Sequence, residues 1–528
     1  MKKPFAGNFL KKAAGLGLIA IVFSARPMLF ADSIKTGDIG ECTVGIFSAA
    51  VTPDGRPVLW KNRDVSDFDQ RFIFYDSYER DGITTFPFIG DVYRSDTTGV
   101  YMGANEAGFA IMNSDSYNLG DSVGADGITD GVLMRLALET CVRLADFENL
   151  LDSTNITGRR DCWNFGVIDS YGGCAMYECA NFSYVKAVPE HDGSPAGGFI
   201  IRANFSLSGG LPYAGEDRYS RAISLTLERL DRGYIDPAFV LGELVRDLFN
   251  EYDNPYPLPY EGSQLSAPPG YIYNVGGTIA RRFTSAAVVI RGTAPGEDPA
   301  LATVFAVLGS PTLSVAYPLW VKSRSVPVYL SHPDGAPMYE YCRMRSARLY
   351  DNPGFPFHIN SRALLDESEN GIYSYTLPLE LWAIDESDRL LAQWERESAN
   401  SAEVAIRQNQ IADVIFRGFR SETIDFLPPD PPAQDGLPER FALFNYPNPF
   451  NGSTTIAARG INQNSQFAVR IYDVLGRLVR QIYGTFDNGG VVVWRGDDNL
   501  GNEVGSGIYF YSLQGNGFSA SSKMAVLR

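Results

Sequence analysis

Residues 41–64, ECTVGIFSAAVTPDGRPVLWKNRD, decide how the rest of the chain is read. An apolar run from Cys42, a Pro53-Asp54-Gly55 turn and a second run from Pro57 to Asp64 predict a β-hairpin, because Pro-Asp-Gly between two apolar segments supplies the backbone angles of a tight turn. Cys42 and Asp64 then fall on facing strands.

Toward the N-terminus stand Lys2, Lys3, Lys11 and Lys12, an apolar run from Ala13 to Phe23, and small residues at Ser24, Ala25 and Ala31. This layout predicts a signal peptide over 1–31, cut after Ala31, which leaves 32–41 as a short propeptide. The run is too short to cross a bilayer and no later stretch is long enough, so the mature chain is expected to have no membrane span.

The chain has only three histidines. His191 sits in a Pro-Glu-His-Asp-Gly loop, His332 precedes Pro333 and His358 follows a Pro/Phe turn, and none has a nucleophile-like context. There is no GxSxG elbow, phosphate loop or HExxH helix. A nucleophile in this chain therefore needs a base other than imidazole. A cysteine that processing turns into the chain's own N-terminus has one, because an α-amine titrates at about pH 8 and can take the thiol proton and return it to a leaving amine. The bland alternative for Cys42 is a half-cystine or a buried thiol. Among the other five cysteines, Cys162, Cys174 and Cys179 lack paired C-x₂-C knuckles, so a disulfide or buried thiols are expected there, not a metal.

Further along, the apolar spacing of GVLMRLALETCVRLADFENL predicts a helix over 131–150, WNFGVIDSYGGCAMYE (163–178) a hairpin across Tyr171-Gly172-Gly173, and the segments 217–231 and 236–250 two more helices. Strands are expected at 283–291 and 303–309 and one long helix over 376–417. Pro428 to Pro432, interrupted by Asp430, mark an extended linker within 421–440. Beyond it FAVRIYDV, LVRQIY, VVVWRG and IYFYSL alternate as strands of a small sandwich over 441–528, with a turn at Leu475-Gly476.

Acidic residues outnumber basic ones, giving a net charge of −17, which opposes contact with phosphate backbones or anionic lipid. Arg159-Arg160 and Arg281-Arg282 are the densest basic pairs, and solvated loop charge is the expected reading of both.

The 41–64 stretch resembles the opening of N-terminal-nucleophile cysteine hydrolases of the isopenicillin N acyltransferase, choloylglycine hydrolase and acid ceramidase group: Cys-Thr, a strand, an Asp-Gly turn, then Asn-x-Asp. The likeness continues through GANEAGFAI (103–111), WNFGVIDSYGGCAMYE, IRANFSLSG (201–209), GEDRYSRA (215–222), TSAAVVI and VFAVLGSP, or about residues 42–320. It implies an α+β fold with four αββα layers over 42–420. It also implies Cys42 as nucleophile, Asp64 orienting the freed amine or the thiol, Asn105 and Asn204 binding the oxyanion, and Arg218 or Arg221 holding the thiolate or a substrate carboxylate. Glu178 and Asn164 are expected to be structural, and turn capping is the bland alternative for Asn105 and Asn204. Relatives carry Arg-Asn-x-Asp where this chain has Lys61-Asn62-Arg63-Asp64. Strand alternation is expected to admit one of the two cations to the site, and Lys61, in register with the usual arginine, is the one favoured. Glu41 departs from the small residue common before the nucleophile, and cleavage of the Glu41–Cys42 bond is expected to be self-catalysed.

The tail, ERFALFNYPNPFNGSTTI with RIYDVLGRLVRQIY and a closing KMAVLR, resembles the C-terminal sorting domains of type IX-secreted proteins. Together the two resemblances imply an exported enzyme, secreted or held at the cell surface, that cleaves a small amide or short peptide or transfers its acyl group, without a cofactor. A dipeptidase of the related cysteine family, or an inactive surface protein that keeps the fold, are the alternatives. The secretion machinery is the expected partner of the tail, and nucleic acid is not expected as one.

Overall fold

The computed structural model describes residues 41–423 except 81, 121–125, 191–196 and 369, and residues 442–527 except 447, 449, 460–465, 474–476, 486–490 and 516–517. The signal peptide, all of the propeptide before Glu41, the prolines of the linker, His191 and the Leu475-Gly476 turn lie outside these residues.

In chain order the larger part runs through β1 (Glu41–Phe47), β2 (Val58–Asp64), β3 (Gln70–Tyr75), β4 (Phe88–Tyr93), β5 (Met102–Asn105) and β6 (Ala110–Asp115). Helices α1 (Asp130–Thr140) and α2 (Leu144–Thr157) follow, then β7 (Trp163–Ile168), β8 (Cys174–Cys179), β9 (Tyr184–Ala187) and β10 (Phe199–Arg202). After α3 (Glu216–Arg232) come β11 (Thr284–Arg291), β12 (Thr303–Leu308) and β13 (Tyr317–Trp320), then α4 (Pro337–Leu349), α5 (Tyr373–Glu397) and α6 (Ser401–Ser421).

The strands form two antiparallel sheets, ordered β10-β1-β2-β11-β12-β13 and β9-β8-β7-β6-β5-β4-β3. The central strands alternate between two buried faces. Val44, Ile46 and Leu59 of the first sheet meet Met102, Ala104, Ala110, Met112 and Met176 of the second in one apolar layer. Phe47, Trp60, Phe199 and Ile201 face outward and pack on Ala222 and Leu225 of α3 and Ile384 of α5. On the far side, Ile111, Phe165, Val167 and Tyr177 pack on Leu133, Met134 and Leu138 of α1 and Phe147 and Leu151 of α2. The result is the four-layer αββα arrangement. With both sheets covered, most side chains of β1 and β2 leave water, and each large apolar one adds about 1.5–3 kcal/mol.

Three helical expectations are corrected. The single helix over 131–150 is two, because Asp146 accepts from the backbone N–H groups of Val142 and Arg143 at 2.9 and 3.0 Å and caps a new helix inside an unbroken apolar pattern. The helix over 376–417 breaks at Ser398, which is left-handed with φ 53°, and restarts where the Asn400 side chain accepts the Glu403 N–H at 3.0 Å. The segment 236–250 is helical only in its first half, as a short α-helical turn at Pro237–Phe239 that runs into a π-helix at Val240–Leu244. All six cysteines are free thiols, so the disulfide alternative is not realised.

In the tail, Ala442–Tyr446, Thr454–Arg459 and Val491–Trp494 form one sheet, and Gln466–Tyr472, Leu478–Thr485, Gly507–Gly515 and Phe518–Val526 the other. Phe450, Trp494, Val469, Ile471, Tyr511 and Leu513 fill the space between them. Phe450 of the Asn-Tyr-Pro-Asn-Pro-Phe-Asn run stands edge-on to Trp494 at 5.4 Å. Its N–H donates to Ala525 O at 3.0 Å and its carbonyl accepts from Leu527 at 2.8 Å, while Asn448 Oδ1 accepts the Ala525 N–H at 2.8 Å. Asn448 and Phe450 are thus seated on the last strand.

Candidate active site

Cys42 is the second residue of β1, with strands on both sides. Across β2 it faces Arg63, and Glu41 faces Asp64. On the other edge Val44 pairs with Arg202, so two more residues of β10's path bring Asn204 alongside Cys42. The Cys42 N–H donates to Asn204 Oδ1 at 3.1 Å. Asn204 Nδ2 in turn donates to Asp115 O at 3.3 Å.

Arg218, in the first turn of α3, reaches the carbonyl side of the same residue. Its Nη1 donates to Cys42 O at 2.8 Å and Thr43 Oγ1 at 2.9 Å, and its Nη2 to Asn204 Oδ1 at 2.8 Å. Gly215 makes this approach possible, for it is left-handed at φ 77° and a Cβ there would run into the Arg218 guanidinium. Arg221, the other candidate, pairs with Asp247 at 2.9 Å instead.

Asp64 is buried, and Oδ1 accepts from Thr284 Oγ1 at 2.6 Å. Oδ2 has no hydrogen-bond partner and lies 3.8 Å from Arg281. Burial lifts its carboxyl to about 6, although Arg281, Arg218 and the Thr284 bond all favour the anion. Arg281 also pairs with Glu41, and Arg218 lies 3.5 Å from Glu41. Arg281 is therefore no solvated loop charge. Arg159 is not one either, since it is buried with Nε on Ala180 O at 2.7 Å and Nη1 on Thr154 Oγ1 at 2.6 Å.

Burial pushes the Cys42 thiol up, while Lys61 and the Asp64 backbone N–H favour its thiolate. Burial pulls the Lys61 ammonium down and Cys42 opposes that shift. Lys61 Nζ donates to Asn113 Oδ1 at 2.7 Å and Tyr101 O at 3.1 Å. Arg63 pairs with Asp91 at 3.2 Å and lies over the rings of Tyr101 and Tyr93 at 3.8 and 4.5 Å. The expected exclusion of one cation by the other is wrong: two residues apart on a strand, Lys61 and Arg63 share a face, and both act electrostatically on Cys42.

Asn105 is corrected as an oxyanion donor. Its Nδ2 is spent on Leu138 O at 2.9 Å and Cys141 O at 2.8 Å, and its Oδ1 accepts the N–H groups of Ala107 and Phe109 at 3.0 and 3.1 Å. It closes the turn between β5 and β6 and ties it to the end of α1. Glu178 and Asn164 are structural supports of the Asn204 loop: Glu178 accepts from Arg202 at 2.7 Å and from the N–H groups of Leu207 and Ser208 at 2.9 and 2.8 Å, and Asn164 Nδ2 donates to Phe205 O at 3.0 Å.

Sequence reasoning missed Asn113, Asp115, Thr284 and the placement of Arg281. The polar run Asn113-Ser114-Asp115 at the end of an otherwise apolar strand was the available signal for the first two. Burial raises the Asp115 carboxyl to about 7, with Asp130 adding to the shift. Among the described residues no group of His, Cys, Asp or Glu side chains is placed to hold a metal, and no helix is long and apolar enough to cross a membrane.

The paired sheets and their helical covers thus form a four-layer αββα arrangement that gathers Asn204, Arg218 and Asp64 around Cys42. Residues 51–257 match the family described as acyl-coenzyme A:6-aminopenicillanic acid acyl-transferase, and residues 445–527 match the secretion system C-terminal sorting domain. The first match begins downstream of Cys42. No curated protein matches the chain. Among solved structures, penicillin V acylase from Agrobacterium tumefaciens is 13% identical over 53% of this chain and 86% of its own, with a TM-score of 0.29. A variant of conjugated bile acid hydrolase from Clostridium perfringens is 12% identical over 56% and 94%, with a TM-score of 0.32. Latent PorU from Porphyromonas gingivalis is 23% identical over 18% of this chain, with a TM-score of 0.16, and the match spans only 10% of PorU.

Proposed function

We propose that the chain is a secreted cysteine amidohydrolase or acyltransferase that matures by cutting its own Glu41–Cys42 bond and then works through a thioester on Cys42. The observation that carries this reading is the convergence of Asn204 on the Cys42 N–H and of Arg218 on the Cys42 carbonyl, with Asp64, whose buried Oδ2 makes no hydrogen bond, opposite Glu41 on the facing strand. An α-ammonium released at Cys42 supplies the hydrogen bond that oxygen lacks. In turnover the thiolate attacks the substrate carbonyl, and the amine returns the thiol proton to the leaving amine. Water, or an acceptor amine, then resolves the thioester. Lys61 stabilises the thiolate. Asn204 Nδ2, which donates to Asp115 O at 3.3 Å beside Cys42, is the side-chain donor for the developing oxyanion in this reading. The sorting domain directs the protein through a type IX pathway to the cell surface or medium.

Mass spectrometry of the secreted protein tests this reading, together with alkylation by iodoacetamide. The expected result is a chain beginning at Cys42 whose alkylation abolishes hydrolysis of N-acyl substrates. A secreted chain that begins upstream of Cys42 and hydrolyses amides regardless of its alkylation overturns it.

A further inference from the structure

Glu41 is the residue whose acyl carbon Cys42 attacks when the chain matures, so the first acyl group carried by the thiol is the one Glu41 provides. Its side chain is not loose in solvent. It pairs with Arg281 and lies 3.5 Å from Arg218. Arg281 is pinned for this contact, since its Nε and Nη2 donate to Val275 O at 3.0 and 2.5 Å, which leaves Nη1 aimed at the Glu41 carboxylate. The Arg281 side chain is 9% exposed and that of Glu41 30%, so Glu41 is the layer between Arg281 and solvent.

When the leader departs, Nη1 loses that partner. The nearest remaining carboxylate, Asp64, is 3.8 Å away and gains the new ammonium. Two guanidiniums and an ammonium then share one carboxylate, an excess of positive charge in a site largely shielded from water. Such a site favours an anion, and a guanidinium already fixed by the backbone loses little freedom on binding one.

We propose that Arg281 is the specificity-determining residue of the mature enzyme and that it binds a carboxylate on the acyl part of the substrate, placed as in Glu41. Three carbon atoms separate the Glu41 backbone carbonyl from its side-chain carboxylate, so the matching substrates are glutaryl and α-glutamyl amides. In maturation Cys42 Sγ bonds to the Glu41 carbonyl carbon, the C–N bond breaks, and the nitrogen keeps the electron pair and takes the thiol proton. Water then splits the thioester to a carboxylic acid and the free thiol. The substrate follows the same sequence, with its own amine as the leaving group, and yields a dicarboxylic acid or a free glutamate.

This inference rests on the Cys42 reading, and a three-substrate comparison separates their failures. The matured full chain is given glutaryl-, pentanoyl- and glutaramoyl-4-nitroanilide, the last being the uncharged amide of the first. The expected kcat/KM for the glutaryl compound exceeds both others by about tenfold or more, the gain of one charge-assisted hydrogen bond. Arg281→Met is expected to reduce that ratio to near unity and Arg281→Lys to restore part of it. Free glutarate is expected to slow iodoacetamide alkylation of wild-type Cys42, a readout independent of whether the variants mature. Turnover of the uncharged substrates without glutaryl preference overturns the Arg281 inference and leaves the nucleophile in place. No turnover of any substrate, with Cys42 unlabelled, overturns both.

Discussion

The Cys42 N–H and Asn204 Oδ1 meet at 3.1 Å although 162 positions separate them in the chain. The contact exists because β10 pairs with β1 in a register that runs past Arg202, and because Glu178 and Asn164 hold the loop that follows. Asn204→Ala is expected to lower maturation and turnover by about 10²–10³-fold, the usual cost of losing a donor at a developing oxyanion. Rates of appearance of the chain beginning at Cys42, followed by mass spectrometry, check this; maturation at the wild-type rate removes Asn204 from the mechanism.

Asp64 sets a pH limb. Its folded-state carboxyl titrates at about 6, above the ordinary value of 3.8, so the anion that would hold the Cys42 amine is lost below about pH 6. Turnover by the matured chain is expected to slow as pH falls through that value, and Asp64→Asn to be slow at every pH without that limb. The stability effect has the opposite sense. The folded chain holds this proton more tightly than the unfolded one, so stability from this group is greatest below 3.8 and declines as pH rises toward about 6. Rate and urea-unfolding profiles from pH 4 to 8 distinguish the two effects.

Asn105→Ala is expected to weaken the fold rather than the chemistry. The change strands the carbonyls of Leu138 and Cys141 and two turn N–H groups in a buried site. The expected loss is about 1–3 kcal/mol or more of unfolding free energy, with kcat lowered only a few-fold. A loss of kcat as large as that expected for Asn204→Ala, at unchanged stability, would restore Asn105 to the site.

Histidine is expected to have no part in turnover. His358 is buried with Nε2 3.2 Å from Gln264 O, and burial lowers its pKa; His332 Nδ1 accepts the backbone N–H of Asp334 at 3.2 Å in an exposed turn. Substitution of His191, His332 or His358 by Ala is expected to leave kcat/KM within about threefold, well inside the 10²–10⁴ range of general acid–base catalysis. A larger drop in turnover by correctly folded protein points to another mechanism.

Deleting 441–528 is expected to hold the enzyme in the periplasm with its amidase activity intact, read by cell fractionation. Unchanged export refutes the sorting role.

The sequence was most readable where local rules decide the outcome. The hairpin from Cys42 to Asp64, the Tyr171-Gly173 turn and the strands after 283 carry their own turn and alternation signals. Helix breaks at Cys141 and Ser398 were hidden because the apolar spacing continues through them, and only the capping side chains of Asp146 and Asn400 mark the new starts. The site divides in the same way. Cys42, Asp64 and Asn204 were singled out by chemistry and motif, and the fold brings the three together. Asn105 was misread because an Asn that caps a turn and one that binds an oxyanion look alike in sequence. Arg281 was misread because its partner, Glu41, is 240 positions away.

The seating of Phe450 on the last strand gives the tail a further property. A chain stopped before Ala525 offers Phe450 neither the carbonyl it donates to nor the backbone that closes over it, so the sandwich stays open and Trp494 keeps an unfilled neighbour. Closure of the tail sandwich around Trp494 therefore depends on the pairing of Phe450 with the strand that holds Ala525.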